Sequence, residues 1–423
     1  MGFIPYLISC SIAVIILFKK NIIRKYIGKS QFYRALFLMM IGNLTYPTYI
    51  QYFIRAIGIG YSSIVIFAHI SHNITKISIQ DISLYRSYFF YCLYTLLALV
   101  SIIWSVGRSE TFIKSIEIFI DATLLFFILK TKGNNGVRAI TILFIIFSSI
   151  MVFSCLIGVL IDPSHFMKKS NSIFGFQIRS YLFGVDAIAG ISTLLIIFLL
   201  NIPYFKAKWI IYASAGLVVF FAQARTSIAI LGIVFAIYMI SKGTKPVYSF
   251  LFLIVVAALY LNFDLFIMYF NRGAHQHNID TLNGRRIIWS IASQLIQKRP
   301  FLGYGFGAGG MLASSQVQGL NNTHNAYFEI AMGLGYMGVV FVALQAFTVL
   351  LKVGRKTIKY KMKAMTFELM CITYWVFRSY TGTGIGGWSS PGYICWLFLM
   401  LNVCRKNTFS GFKQQFLNYL END

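Results

Sequence analysis

From Ala139 to Ile161 the chain runs without a single charged residue, and Ser249–Leu261 does the same. A helix needs about 20 such residues to cross a bilayer. Within hydrocarbon every backbone N–H and C=O must be satisfied internally, which leaves helices or closed barrels. A barrel would alternate apolar and polar positions over segments of about ten residues, whereas these runs are continuous. Over all 423 residues only 12% are charged, about half the usual share of a water-soluble domain. The expected fold is therefore all-α, a polytopic transmembrane helical bundle forming a single integral membrane domain over residues 1–423. The apolar runs place its spans near 2–18, 35–54, 58–72, 87–106, 111–130, 139–161, 182–202, 209–223, 225–241, 247–269, 325–351, 364–380 and 389–404, about 12–13 in number. No fixed-period repeat or low-complexity linker interrupts them.

The 37 Lys and Arg against 12 Asp and Glu would suggest nucleic acid in a soluble protein. Here the basic residues cluster between apolar runs, so nucleic acid is not an expected partner, and membrane lipids are. Assigned to alternate sides of the spans, 24 of the 37 fall on one side and 13 on the other. The side rich in Lys and Arg is the cytoplasmic one. That leaves two longer loops outside, 162–181 and 271–323. The cytoplasmic loops hold no GxxxxGK[ST] phosphate loop. The first apolar run precedes Lys19, Lys20, Arg24 and Lys25, the reverse of a cleavable signal, which suggests a first helix whose N-terminus lies outside. Cys10, Cys92, Cys155, Cys371, Cys395 and Cys404 lie in or beside apolar segments without a CxxC pair, as small core hydrophobes do.

The loop 271–323 is the longest polar stretch. Within it Ile287, Ile288, Ile291 and Leu295 follow helical spacing, which predicts a short amphipathic helix ending at Pro300. Gly303, Gly305, Gly307, Gly309 and Gly310 follow as a flexible run that lets backbone approach a ligand or bend sharply. His324 then stands where the next membrane helix begins. By position it reads as a general base or as an interfacial histidine beside a helix cap. Arg225, between two apolar runs, reads as a functional intramembrane charge or as a loop arginine in a tight outer turn. Arg179 reads as a headgroup-facing arginine, while Asp186 lies inside an apolar run and is less ordinary. The outer carboxylates are few (Glu110, Asp162, Asp186, Asp280 and Glu329), and no DxD pair occurs. A divalent metal wants several oxygen ligands, so no metal site and no cofactor are expected. His275 and His277 lack a further spaced ligand. An anionic group bound on this face would be held by arginines, whose planar fork suits phosphate.

Three blocks occur in order: Gly284-Arg285-x-x-Ile288-Trp289; Arg299-Pro300-Phe301-Leu302-Gly303-Tyr304-Gly305; and His324-Asn325-Ala326-Tyr327-Phe328-Glu329 followed by Gly333-x-Gly335-x-x-Gly338. Together with Trp104-Ser105, Arg179 near Phe183-Gly184, and Ala224-Arg225-Thr226, the chain resembles the O-antigen ligase and polymerase superfamily over roughly Leu97 to Val340. The resemblance implies a metal-independent, inverting glycosyltransferase in a bacterial inner membrane, its active site facing the periplasm. The donor would be an oligosaccharide on undecaprenyl diphosphate. The acceptor would be a second lipid-linked glycan or the lipid A core, with a chain-length regulator as a further partner. By matching position His324 is the base-like residue, Arg225 and Arg285 hold the diphosphate, and Arg286, Arg179, Asn325 and Glu329 are further substrate contacts. Spacing to Trp289 favours Arg285 over its neighbour Arg286.

Polymerase is the favoured activity within the family, because the matching motifs are shared broadly and nothing marks a lipid A site. Ligase is the alternative. A transporter or flippase for lipid-linked sugars is a different class, but it would show paired repeats with broken helices, and the polar signal here sits in one outer loop. The topology is testable. With Asp280→Cys and Ile358→Cys each in a cysteine-free background, an impermeant maleimide should label position 280 and spare 358 in intact spheroplasts. The reverse pattern would overturn the charge-based orientation.

Overall fold

The computed structural model describes residues 30–42, 48–73, 86–169, 175–179, 185–202, 208–242, 285–315, 323–360, 365–382 and 390–403. The expected spans 2–18 and 247–269, and His275 and His277, lie outside them. In chain order the helices are α1 (Gln31–Gly42), α2 (Thr48–Asn73), α3 (Arg86–Val100, continued by a 3-10 turn Ser101–Ile103), α4 (Arg108–Ile161), α5 (Val185–Asn201), α6 (Lys208–Ala222), α7 (Arg225–Lys242), α8 (Arg285–Lys298), α9 (Ala308–Ser314), α10 (Ala326–Tyr360), α11 (Thr366–Thr381) and α12 (Pro391–Val403). Among the described residues, two helices, over Ala139–Ile161 and Ala326–Ile358, are long and apolar enough to cross a membrane.

The fold departs from the expectation in three places. It is not purely helical. Strands β1 (Met167–Lys169) and β2 (Phe176–Ile178) form an antiparallel hairpin, with Met167 paired to Ile178 and Lys169 to Phe176. Three-residue strands carry too little alternation to show in a sequence. Second, the break expected at residues 55–57 is absent. One helix passes through Arg55 and starts at Thr48, directly after Pro47. A single charge does not end a helix, whereas proline removes a backbone donor and blocks the turn before it.

Third, helical backbone continues through Lys130–Arg138, where a loop was expected. The Tyr393 hydroxyl donates to Asp121 Oδ2 at 3.3 Å, and Phe398, five residues further along α12, packs on Phe144 at 5.2 Å between ring centroids. On a straight helix positions 121 and 144 would lie about 35 Å apart at ~1.5 Å per residue, far beyond the reach of five residues of α12. The helix is therefore not straight between them. Phe144, Phe198 and Phe398 then meet at the centre of the core, joined by Phe367 of α11, and Trp375 stacks on Trp396 at 4.2 Å.

The second membrane-length helix is broken. Gly335 has φ 61 and ψ −162 inside α10, a region only glycine occupies freely. The break removes helical hydrogen bonds, and residues 300–305 replace them. Tyr304 N–H donates to Met332 O at 2.8 Å and Gly305 N–H to Gly333 O at 2.9 Å. In the other direction Tyr336 N–H donates to Pro300 O at 2.7 Å and Met337 N–H to Phe301 O at 3.5 Å. The glycine run is therefore pinned rather than flexible. A Cβ on Gly303 would collide with the backbone at Met332 and Gly333, one on Gly305 with Ser105, and one on Gly335 with Phe301. The far side of the same segment docks on the end of α3. Trp104 Nε1–H donates to Leu302 O at 2.9 Å, Val106 N–H to Tyr304 O at 3.0 Å, and Phe306 N–H to Ser101 Oγ at 3.0 Å.

Below the break, Val340, Phe347, Leu350 and Leu351 on α10 are exposed. Apolar surface aligned along a membrane-length helix suits hydrocarbon. Gly335→Ala should lower stability by at least ~1–3 kcal/mol, the usual cost of such a backbone held by a non-glycine residue. Gly354→Ala, where an added methyl meets nothing within 4 Å, should be neutral or stabilising by up to ~1 kcal/mol. Thermal unfolding in detergent micelles would compare the two, and equal midpoints would show that the break does not need glycine.

Candidate functional site

The site is built where several helix ends meet. At the start of α10, Asn325 is the N-cap: its Oδ1 accepts from the N–H of Tyr327 at 3.0 Å and of Phe328 at 3.3 Å. That satisfies two of the donors a helix N-terminus leaves open. Glu329, one turn on, reaches back to accept the Thr323 N–H at 3.1 Å, and the Thr323 hydroxyl lies 2.9 Å from the same oxygen. Asn325 and Thr323 are buried. Between them His324 is held in the left-handed region at φ 51, which costs a non-glycine residue about 1–2 kcal/mol. The caps on either side offset that cost and fix the imidazole at the helix entrance.

Helix α8 lies across this entrance. Its buried residues Ile288, Ala292 and Leu295 cluster with Tyr304, Ala313 and Met332, while Ile287 is exposed. Trp289 fixes its angle, donating from Nε1 to Thr323 O at 2.9 Å, stacking on Phe328 at 6.0 Å and meeting Tyr380 of α11 edge-on at 5.5 Å. Three elements, the α8 helix, the α10 N-terminus and the α11 C-terminus, thus share one indole. With Trp289 so held, Arg285 begins α8 within electrostatic reach of His324, and its neighbour Arg286 is exposed.

Burial lowers the pKa of His324 below 6.5, the positive charges of Arg285 and Arg378 lower it further, and Asp186 opposes them. At neutral pH the ring is uncharged and keeps a lone pair able to take a proton. Arg378, which the sequence reading did not single out, is 7% exposed. Its Nη2 donates to the backbone carbonyl of Asp186 at 2.8 Å, joining the end of α11 to the start of α5. Its sequence signal was of the kind that marked Arg225, an arginine inside an apolar run. Asp186 itself is exposed.

Arg225 opens α7 after a second left-handed non-glycine residue, Gln223 at φ 52. Ala224 packs with Ala222, Ala189 and Val185, which seats this turn against the start of α5, one residue from Asp186. Gln223 Nε2–H donates to Phe176 O at 3.3 Å, tying the turn to the hairpin. Backbone outliers of this kind concentrate at functional sites. Arg179 is committed to the hairpin, its Nε–H donating to His165 O at 2.9 Å and its backbone N–H to Phe166 O at 2.9 Å. The structure thus sets Arg285, Arg378 and Asp186 within electrostatic reach of His324 and packs the turn that carries Arg225 one residue from Asp186. It places Arg179 in the adjoining hairpin, Arg286 on the outer surface, and Asn325 and Glu329 in the scaffold of the histidine turn. No group of three or more His, Cys, Asp or Glu suited to a metal ion occurs among the described residues.

Residues 210–343 match the O-antigen ligase family model. The match supports a relationship of this segment to the O-antigen ligase and polymerase superfamily. The match spans Arg225, Arg285, Arg286 and His324 and stops before Arg378. No individual curated protein matches the chain. Proteins of this family are membrane proteins and glycosyltransferase-like enzymes of polysaccharide biosynthesis. Their substrates are, in general terms, lipid-linked glycans and lipid A core.

The electrostatics of His324 are directly measurable. In protein carrying labelled histidine, its ring resonance should titrate below pH 6.5. Arg285→Gln removes a charge that disfavours the imidazolium, so the midpoint should rise. Asp186→Asn removes one that favours it, so the midpoint should fall. Because the folded state holds this pKa below the unfolded value, His324 contributes stability that is present above about pH 6.5 and lost as pH falls through the depressed folded value.

Proposed function

We propose that this chain is a multi-pass inner-membrane glycosyltransferase that joins undecaprenyl-diphosphate-linked glycan units at the periplasmic face, a surface-polysaccharide polymerase. The observation that carries the reading is a histidine held at a helix entrance, within electrostatic reach of Arg285 and inside the segment matching the O-antigen ligase family. The acceptor hydroxyl gives its proton to His324 as its oxygen attacks the anomeric carbon of the donor sugar. The bond from that carbon to the diphosphate breaks, the carbon inverts, and the electron pair leaves with the diphosphate. Charge grows on the leaving group, and Arg225 and Arg285, fixed by their helix starts, stabilise it. Arg286 and Arg179 lie further out, where they meet headgroup or glycan. Asn325 and Glu329 act on the substrate through the turn that presents His324. The reaction needs no metal, because guanidinium groups supply the positive charge. The polyprenyl chain lies along the apolar helix faces, and a chain-length regulator is a fitting partner. The family description favours a second reading, a ligase whose acceptor is the lipid A core.

Purified protein supplied with lipid-linked repeat unit, with and without lipid A core, separates the two readings. Product made from repeat unit alone supports the polymerase, and product that requires lipid A core supports the ligase. In the productive assay His324→Ala should lower transfer roughly a hundred- to ten-thousand-fold, the range for loss of a general base, with donor binding retained. Arg225→Ala and Arg285→Ala should weaken both binding and turnover, Arg→Lys should rescue neither fully, and Arg286→Ala should do less harm. EDTA should leave the rate unchanged. Near-normal transfer by well-folded His324→Ala protein would remove the base role.

A further inference from the structure

We propose that Arg378 is a third anion-binding arginine of the His324 site, one that grips the leaving diphosphate. This rests on the transferase reading for the identity of its ligand, although the anion site itself stands on the geometry. Arg378 is more than nine-tenths buried. An arginine carries five N–H donors in a rigid fork, and the one hydrogen bond this fork makes is the Nη2 contact to the Asp186 carbonyl. No carboxylate lies within ion-pair distance of it among the described residues. Burying a guanidinium without a counter-charge is expensive, and such groups are normally paired. A buried cation with donors to spare, acting like Arg285 on the same histidine, is arranged for an anion that arrives from outside.

The anchoring is also specific. The Asp186 carbonyl holds one arm of the fork, Gly382 leaves room beside the side chain, where an added Cβ would stand 3.4 Å from Nε, and Tyr380 two residues on is clamped by Trp289. The helix that presents Arg378 is therefore locked to the helix that presents Arg285. A doubly charged, multi-oxygen group such as a diphosphate can engage both at once, whereas a neutral sugar can use neither charge. Arg378 lies beyond residues 210–343, so the segment that matches the family does not contain the whole anion site.

The test uses the full chain in lipid nanodiscs and two probes, undecaprenyl diphosphate and inorganic pyrophosphate. Binding is read by calorimetry, and folding by thermal unfolding without ligand. Arg378→Gln should weaken undecaprenyl diphosphate binding roughly ten- to a hundredfold, the value of a charge-assisted hydrogen bond or two. Arg378→Lys keeps the charge, so it should recover part of the loss and serves where the glutamine variant unfolds. If the wild-type protein binds pyrophosphate but not the prenyl diphosphate, the donor assignment fails. The Arg378 site then stands if Arg378→Gln weakens pyrophosphate binding. Unchanged binding of both probes by either folded variant overturns the proposal, as does a wild-type protein that binds neither.

Discussion

The break in α10 is the constraint on which the rest of the site depends. A helix of membrane length cannot leave its backbone groups open, and Gly335 forces several of them open. The chain solves this by bringing residues 300–305 alongside, so that four backbone hydrogen bonds cross between the two segments. Once that exchange is made, much else follows. The glycine at 303 becomes necessary because no side chain fits between the paired backbones, and the one at 305 because Ser105 occupies the space a side chain would need. Helix α8, which leads directly into residues 300–305, is drawn onto the start of α10. Trp104 and Ser101 then hold the outer side of the same segment against α3. The short stretch of α10 above the break carries His324 at its entrance, so the histidine is positioned by a backbone substitution several residues below it.

Charge is arranged with the same economy. The described part of the site combines cations with a single nearby carboxylate of opposing effect, Asp186. Burial and then guanidinium charge lower the pKa of the imidazole, and the same guanidinium charge attracts anions. Under the transferase reading proposed above, one set of arginines prepares both the proton acceptor and the seat for the leaving group.

Much of this was legible in the sequence, but in pieces. The amphipathic spacing around Ile288 and Leu295 marked α8 to within a residue or two, and the apolar runs marked most of the helices. The glycines at 303, 305 and 335 were visible as a motif, yet they read as freedom to move, because a sequence cannot show that two glycine-bearing segments are pressed together. Trp104-Ser105 stood some two hundred positions from its partners at Leu302 and Gly305, and only the tertiary contact explains why they belong to one motif. Asn325 and Glu329 looked like substrate contacts, and their polar atoms are engaged in capping. Arg378 was missed because no motif surrounds it and its counterpart is a backbone carbonyl, which every residue has. Asp121 escaped notice for a similar reason, since its meaning depends on Tyr393, far along the chain.

The crossed backbone bonds have a consequence for inheritance. Residues 300–305, residues 332–337 and the end of α3 behave as a single unit, although the chain visits them at three separate times. A larger residue at position 305 would need space that Ser105 occupies, and an added residue between 300 and 305 would shift the register of all four exchanged bonds at once. Descendants of this chain can therefore alter the few residues after α8 only within narrow limits. Change in these three places is expected to come together or not at all.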